Sequence, residues 1–430
     1  MRIIRLAVPV YVELLAAVVA VGLIDAFWLA RLGAAAVAAV TVGTTVEYLA
    51  YGVMLTVTMG TTVVIARRTG RGEGGTAEVR RTAWMLWAAV SLLIAVPGFL
   101  LREPLAALFV ADPTARRLTA DFLAVSLPLV PIYFAQATVD AVFKGHADTR
   151  TPMRMALLSN GLVFALDPLL IHGLDLGVPG AALATAAARA ITLAIALTLL
   201  RRRHPVSGGA FSPGVARDIA ATGTPGAGDF LSRNVVAMIL INVIAGFGVA
   251  AVAGYGVANR ILLAGAMFFY AVRQAAMIES ARSPKPVEGL ALRLGLGAGL
   301  TAAVILAVGA TPLMRLFTTD PQVVAHGADF LRAVPGYLIL FGGLIALSGV
   351  LQGTGRGGRY LTTLLIGYAA QIPLAYALSA WLGLAGVWAA MTVTAALQLA
   401  LTLPTAFRRA PAPVPVPAPA RSSAPSPATR

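Results

Sequence analysis

The chain has 430 residues, of which 58% are hydrophobic and only 12% charged, and its mean hydropathy is +0.83. A water-soluble domain carries about a quarter charged residues, so this composition excludes an ordinary soluble protein. Cysteine is absent, which excludes disulfides, thiolate zinc sites and thiol catalysis.

The hydropathy pattern predicts twelve membrane-spanning helices, each near or above the roughly 20 residues that cross a bilayer. Helices are expected because Gly, Pro and β-branched residues lack the two-residue alternation of a membrane barrel. The first apolar run is long and belongs to an internal repeat, so we interpret it as a helix and not as a signal peptide. The predicted spans are 6–29, 36–66, 82–101, 119–143, 153–173, 179–200, 218–245, 250–275, 289–310, 328–352, 360–380 and 384–405.

The two halves of the chain repeat one another. The matched segments are Leu108–Pro113 with Leu316–Pro321 and Gly145 with Gly353, both 208 residues apart, and Gly33–Ala38 with Gly248–Ala253, 215 residues apart. Six spans per half bring both halves into the membrane from the same side. The sequence therefore predicts an all-α integral membrane protein of two six-helix lobes related by a parallel internal repeat. The predicted parts are an N-terminal lobe at 1–203, a cytoplasmic linker at 204–217, a C-terminal lobe at 218–408 and a disordered Pro/Ala-rich tail at 409–430.

The basic residues that give the chain its net charge of +15 are distributed unevenly between the two sides of the membrane. Most of the 33 basic residues fall in segments that are cytoplasmic if the amino terminus is cytoplasmic. The positive-inside rule then places both termini in the cytoplasm. We expect the basic residues to contact anionic lipid and no nucleic acid. The excess of Ala, Gly, Pro and of Arg over Lys is typical of a GC-rich bacterial genome, so we expect a protein of a bacterial plasma membrane. We also expect it to be a monomer.

Acidic residues inside the first-half spans indicate an ion site. An acid deep in a membrane helix costs roughly 2.5–3.5 kcal/mol on insertion, so each one needs a reason. Asp25, Asp167 and Thr185 are predicted at a similar depth, roughly 6–9 Å below the outer boundary, with Asn160 two turns before Asp167 on the same face. Two carboxylates in an apolar pocket can share a proton. Carboxylate, hydroxyl and amide oxygens also suit sodium, and the alternative is simple hydrogen bonding between helices.

Three further residues are candidates for a cavity that accepts a cationic substrate. They are Glu47, Tyr51 and Gln136. Other buried charges are expected to be structural. The expected ion pairs are Asp229 with Arg233, Asp140 with Lys144, Glu13 with a loop arginine, and Arg260 with Asp229.

Several motifs, in the same order, resemble those of the multidrug and toxic compound extrusion (MATE) transporters. They are Ile24-Asp25 before Arg31-Leu32-Gly33, Gly145–Pro152, Ser159-Asn160 with Leu166–Ile171, Gly177–Thr185 and Val252–Ile261. The resemblance implies two lobes arranged as a V, alternating access driven by sodium or proton influx, and export of amphipathic, often cationic compounds. The chain is more similar to the DNA-damage-inducible-protein-F-like branch, whose ion site lies in the N-terminal lobe.

Two departures from the family pattern affect these expectations. Val163 stands where many relatives have an asparagine, and the loss of an oxygen ligand favours a proton over sodium. The segment Glu279–Lys285 replaces the family's usual ending of helix 8. We therefore expect a proton-coupled (or sodium-coupled) exporter with no cofactor. The alternatives are a lipid-linked precursor flippase, a membrane-embedded enzyme, which the dispersed histidines argue against, and a non-transporting scaffold.

Overall fold

A computed structural model describes residues 2–17, 28, 32–205, 208–283 and 285–408, and this part of the chain is almost entirely helical. The first half contains α1 (Arg2–Leu15), α2 (Ala34–Gly70), α3 (Thr76–Leu100), α4 (Arg102–Phe109), α5 (Pro113–Gly145), α6 (Arg150–Pro168), continued by a π-helical turn at Leu169–Gly173, and α7 (Gly177–Arg203). The second half contains α8 (Pro213–Ala245), α9 (Val249–Arg282), α10 (Glu288–Val308), α11 (Ala310–Arg315), α12 (Pro321–Ala333), α13 (Pro335–Gly353), α14 (Gly357–Leu382) and α15 (Leu384–Phe407).

Within the described residues, 11 helices are long and apolar enough to cross a membrane. They confirm the second to twelfth predicted spans, with boundaries that move by several residues. The first predicted span begins with α1 and runs on into residues outside the described part. The tenth span, expected as one helix over 328–352, is divided between α12 and α13. Pro335 begins α13 because proline lacks the N–H that would continue α12 and restricts the residue before it.

The repeated segments Leu108–Pro113 and Leu316–Pro321 each lead into the start of a helix. Asp112 accepts a hydrogen bond from the Ala115 N–H at 2.8 Å, and Asp320 accepts from the Gln322 and Val323 N–H groups. In both halves a proline follows at the first helical position, where its missing N–H costs nothing. The repeat therefore preserves a point where one helix ends and the next begins.

Each half of the sequence contains a buried apolar cluster, and a further cluster joins the first half to the start of α8. One buried cluster runs from Val236 to Ala406, whereas two others run from Ala36 to Ala182 and from Val64 to Ile219. Large apolar side chains such as Val308 and Trp381 remain exposed at 82% and 89%. These side chains suit a surface that faces lipid and not water. The result is the two-lobe bundle that the sequence predicts.

The lobes meet where α2 packs against α8 and α1 packs against α9. A side chain at Gly60 or Gly223 would collide with the backbone of the opposite helix, and such small residues let membrane helices approach closely. Ile3 and Val10 of α1 join Ala275 of α9 in a mixed buried cluster. The two lobes thus share a tight contact along one half of their length.

Candidate functional site

A small polar cavity lies inside the first lobe between α2, α5 and α7. Its volume is about 40 Å³, which is room for a few water molecules. The Arg189 guanidinium lies 3.9 Å from the centre of the Tyr133 ring. The polar residues that line the cavity are Thr44, Glu47, Ser126, Tyr133, Thr185 and Arg189. This composition suits water or a small ion and not a drug-sized molecule.

Two of the predicted groups meet in this cavity. Thr185, expected beside Asp167 in an ion site, lines the same cavity as Glu47, expected in a substrate cavity. Tyr51, the second predicted substrate residue, stacks on Tyr133 at a ring distance of 5.0 Å. The sequence analysis did not predict Arg189 as a cavity residue. Its position as a single arginine within the apolar part of α7 could have indicated it.

Asp167 and Asn160 lie on α6, which packs against α1. Asp167 is completely buried in the last turn. The Asn160 Nδ2 group donates a hydrogen bond to the Ala16 carbonyl at 3.0 Å, which leaves its Oδ1 oxygen as an acceptor. Asp25 lies outside the described residues.

The segment that carries Asp25 is flanked on both sides by contacts with the fifth span. Before it, Ala16 accepts the hydrogen bond from Asn160. After it, the Trp28 ring lies 5.9 Å from the Phe164 ring, and the His172 ring lies within hydrogen-bond distance of the Trp28 carbonyl. These contacts bracket Asp167 in the sequence.

The inner charges of the first lobe pair differently from the sequence expectation. Lys144 donates to Glu13 at 2.7 Å, and both side chains are largely buried. Asp140 instead accepts from the Nε2 group of Gln136, the third predicted substrate residue, at 3.0 Å. The predicted pairs of Asp140 with Lys144 and of Glu13 with a loop arginine are therefore wrong, because the Lys144 side chain extends to Glu13 of α1 while Asp140 is bonded by Gln136 on its own helix.

A second charge cluster occupies the other lobe. The Asp229 carboxylate is 1% exposed and accepts from Arg233 at 2.6 Å, as predicted. It also lies 3.1 Å from Arg273 of α9, and the Tyr360 hydroxyl is 3.5 Å from it. The predicted partner Arg260 is exposed on the surface of α9, so that prediction is wrong. Arg273 was missed because nothing in an isolated helix shows which face is covered.

The lobes are held together at one end by a reciprocal pair of hydrogen bonds. Arg67 of α2 donates to the Gly353 carbonyl at the end of α13, at 3.1 and 3.2 Å. Arg282 of α9 donates to the Gly145 carbonyl at the end of α5, at 3.4 Å. Arg67 and Arg282 are 215 residues apart, and the two glycines are 208 apart, which are the offsets of the repeat. We call these four residues the latch and this end of the molecule the closed end.

Both ends of the described chain lie at the closed end. Arg2 forms an ion pair with Glu279 at 3.5 Å, next to the latch. Arg356, three residues after Gly353, donates to the Arg408 carbonyl at 2.7 Å. The amino-terminal and carboxy-terminal helices therefore begin and finish on the same side of the bundle.

Comparison with known proteins follows the same division of the chain. The MatE family profile matches residues 9–169 and 225–377. The probable multidrug resistance protein NorM of Thermotoga maritima is 26% identical, with 86% of this chain and 84% of that protein covered. Protein DETOXIFICATION 45, chloroplastic, of Arabidopsis thaliana is 26% identical over 65% of this chain, but the match spans only 51% of its own length. A solved outward-facing structure of a multidrug resistance MATE family transporter superposes with a TM-score of 0.86 at 23% identity, covering 94% of both chains.

Proposed function

Because the chain belongs to the MatE family of multidrug and toxic compound extrusion transporters, we propose that it exports amphipathic organic compounds in exchange for protons, or alternatively sodium ions, by alternating access. Members of this family are transporters and not enzymes. The observation that carries the proposal is the latch, because two lobes that each contain a buried cluster of their own, joined at one end by hydrogen bonds and apolar contact, can separate there without either lobe unfolding.

The basic residues supply the proposed orientation. Arg68, Arg80 and Arg203 lie at helix ends on the side of the latch, and the positive-inside rule assigns such an end to the cytoplasm. We therefore place both termini and the closed end in the cytoplasm of a bacterial cell. The state described here is then closed to the cytoplasm.

Asp25 and Asp167 are the proposed ion switch. The contacts of Ala16 and Trp28 hold both flanks of the Asp25 segment against the helix that carries Asp167. Asn160 supports the same site with its Oδ1 oxygen, which has no hydrogen-bond partner among the described residues. Ionisation of a carboxylate in this apolar position is costly, so binding a cation stabilises the arrangement that brings the two acids together.

A proton suits this proposed site better than sodium. Val163, one turn before Asp167, is 3% exposed and offers no oxygen ligand. Thr185 lines the cavity with Glu47, so we assign it to that polar cavity and not to the switch itself. Uptake of the ion from outside would neutralise the acids and favour release of the cargo, in keeping with the branch whose ion site lies in the N-terminal lobe.

The cargo is proposed to occupy the cleft between the lobes. Glu47, Tyr51 and Gln136 remain candidates for its first-lobe side, where a carboxylate and aromatic rings suit an organic cation. The cavity of about 40 Å³ is too small for such a molecule in this state. Binding therefore requires the cleft and not the cavity alone.

The test is transport in inverted membrane vesicles whose lumen is acidified by respiration. A fluorescent amphipathic dye should accumulate in vesicles with the native protein and should leave when the pH gradient is collapsed. Asp25→Asn and Asp167→Asn should each abolish gradient-driven accumulation. Asp121→Asn, an exposed acid on α5, is the matched control and should transport normally. Full dye accumulation by Asp167→Asn would refute the ion switch. Accumulation that depends only on a sodium gradient would identify sodium, and not the proton, as the coupling ion.

A further inference from the structure

The charge cluster of the second lobe holds more positive than negative charge. Asp229 is the only carboxylate in contact with Arg233 and Arg273 among the described residues. Arg273 is itself 6% exposed and already neutralises Asp229 at 3.1 Å. Arg233 is therefore in excess, and the cluster carries a net charge of about +1 within a membrane-spanning bundle.

An uncompensated charge at this depth is expensive, and structural pairing does not account for it. One arginine would balance one aspartate, whereas a second arginine raises the cost of burial unless an anion is available. The Arg273 Nε group is buried without a hydrogen-bond partner among the described residues. Its Nη2 group reaches only the Gln352 oxygen, at 3.5 Å. The cluster thus has spare donors as well as spare charge.

Arg233 is the member of the cluster that a ligand can reach. Its side chain is 23% exposed, and its only hydrogen bond within the described part of the chain goes to Asp229. The guanidinium stacks on the Phe341 ring at 4.8 Å, and Phe341 stacks in turn on Tyr337 at 5.1 Å. Stacking fixes the plane of a guanidinium and leaves its N–H edge free to bind two oxygens at once.

Arg233 lies close to the contact between the two lobes. Phe230, one turn earlier in α8, packs on the Tyr48 ring of the other lobe at 4.8 Å. Tyr48 is itself 52% exposed. From the closed end outward, α8 contacts α2 through Gly223 and then Phe230, and Arg233 follows at about 4.5 Å farther along the axis.

We propose that Arg233, oriented by Phe341 and supported by Asp229 and Arg273, binds an acidic group of the exported compound. The inference rests on the proposed export function and specifies its cargo as an amphipath that carries a carboxylate or a phosphate. Such a compound neutralises the second lobe while its apolar part contacts the aromatic rings nearby. A cargo with cationic charge only would meet like charge on this side of the cleft.

The test uses two dyes that differ only in the acidic group: rhodamine B, which has a free carboxylate, and its ethyl ester. Their binding to the purified protein in nanodiscs is followed by fluorescence polarisation without any ion gradient. The native protein should bind rhodamine B at least about tenfold more tightly than the ester. Arg233→Gln should bring the ratio near one, and Arg260→Gln, which removes an exposed arginine of the same lobe, should leave it unchanged.

Two further variants keep the test decisive if Arg233→Gln does not fold. Phe341→Leu retains the charge but removes the stack, and it should lower the preference for the acid. Asp229→Asn leaves both arginines without their carboxylate, and it should raise the preference. Equal affinity for the two dyes, absence of rhodamine B binding, or an unchanged ratio in folded Arg233→Gln would overturn the proposal. The binding test uses no ion gradient, so the dye preference can be measured even if the protein fails in the vesicle transport test. Conversely, gradient-driven transport without a preference for the acidic dye would overturn this inference and leave the export function intact.

Discussion

Arg67 and Arg282 occupy equivalent positions in the two halves, and each donates to the carbonyl of a glycine that ends a helix of the opposite lobe. Arg282 also lies 3.5 Å from the Thr69 hydroxyl, which itself donates to the Gly145 carbonyl. The closed end is therefore held by two copies of one interaction. Neither copy involves the residues of the proposed ion site.

Removing the latch should favour opening of the closed end. A hydrogen bond from a charged donor contributes about 1.5–3 kcal/mol, so Arg67→Ala combined with Arg282→Ala should shift the balance between conformations by more than about tenfold. The chain has no cysteine, so spin labels can be placed cleanly at Glu73→Cys and Arg359→Cys, and their separation measured by pulsed electron resonance. Arg71→Ala is the control, because Arg71 is exposed and its ion-pair partner Glu73 is already replaced by the label. An unchanged distance distribution in the double variant would contradict the role of the latch.

The Glu13–Lys144 pair should be required for folding stability. Lys144→Met leaves Glu13 and the nearby Asp140 without their cation, and removal of one partner of a buried pair costs about 3–5 kcal/mol. We expect a clear fall in melting temperature in detergent. Glu13→Gln combined with Lys144→Met should recover much of it, because the uncompensated carboxylate at Glu13 is gone. A double variant as unstable as the single one would show that the lysine acts through packing alone.

Stability should fall in mild acid because of two adjacent histidine rings next to the closed end. The ring centres of His146 and His204 are 4.0 Å apart. Burial lowers the pKa of His146, and Arg282 and Arg80 lower it further, although its hydrogen bond to the Val142 carbonyl opposes this. Burial and the neighbouring His146 lower the pKa of His204, as do Arg80 and Arg203, against the effect of Asp148.

The sign of this pH dependence follows from the lowered pKa values. The unfolded chain binds more protons in acid, with an ordinary histidine pKa of 6.5, so the stabilising contribution is complete above that pH and is lost as the pH falls through the folded-state values. The melting temperature should therefore drop between pH 7.5 and 5.5. His146→Gln combined with His204→Gln should flatten the drop, whereas His326→Gln in the other lobe should not. An equally steep drop without the two histidines would exclude them as its source.

The assignment of Thr185 can be decided by double-mutant cycles on transport. Thr185 lines the cavity with Glu47. The effects of Thr185→Val and Glu47→Gln on the activation free energy of transport should therefore differ from additivity by about 0.5 kcal/mol or more. The cycle with Asn160→Ala should be closer to additive. The matched control is Thr198→Val, an exposed threonine on the same helix. Stronger coupling to Asn160 than to Glu47 would restore Thr185 to the ion site.

The sequence predicts the helices better than it predicts which side chains meet. Long apolar runs are required by the bilayer itself, and ten of the twelve predicted spans correspond to single helices. The exceptions are the first span, which is only partly described, and the span at 328–352, which is divided at Pro335. The Glu13–Lys144 contact joins residues 131 positions apart, and no local pattern specifies the packing angle that creates it. Asp229 with Arg233 could be predicted because the two are one helical turn apart.

The reciprocal geometry of the latch has an evolutionary consequence. Each lobe presents both a donor and an acceptor to the other, which is the contact made by two identical subunits about a twofold axis. A gene encoding one six-helix unit could thus have produced a paired ancestor that sealed its own pore before fusion joined the copies. The two lobes were then free to diverge in the charged residues that they carry.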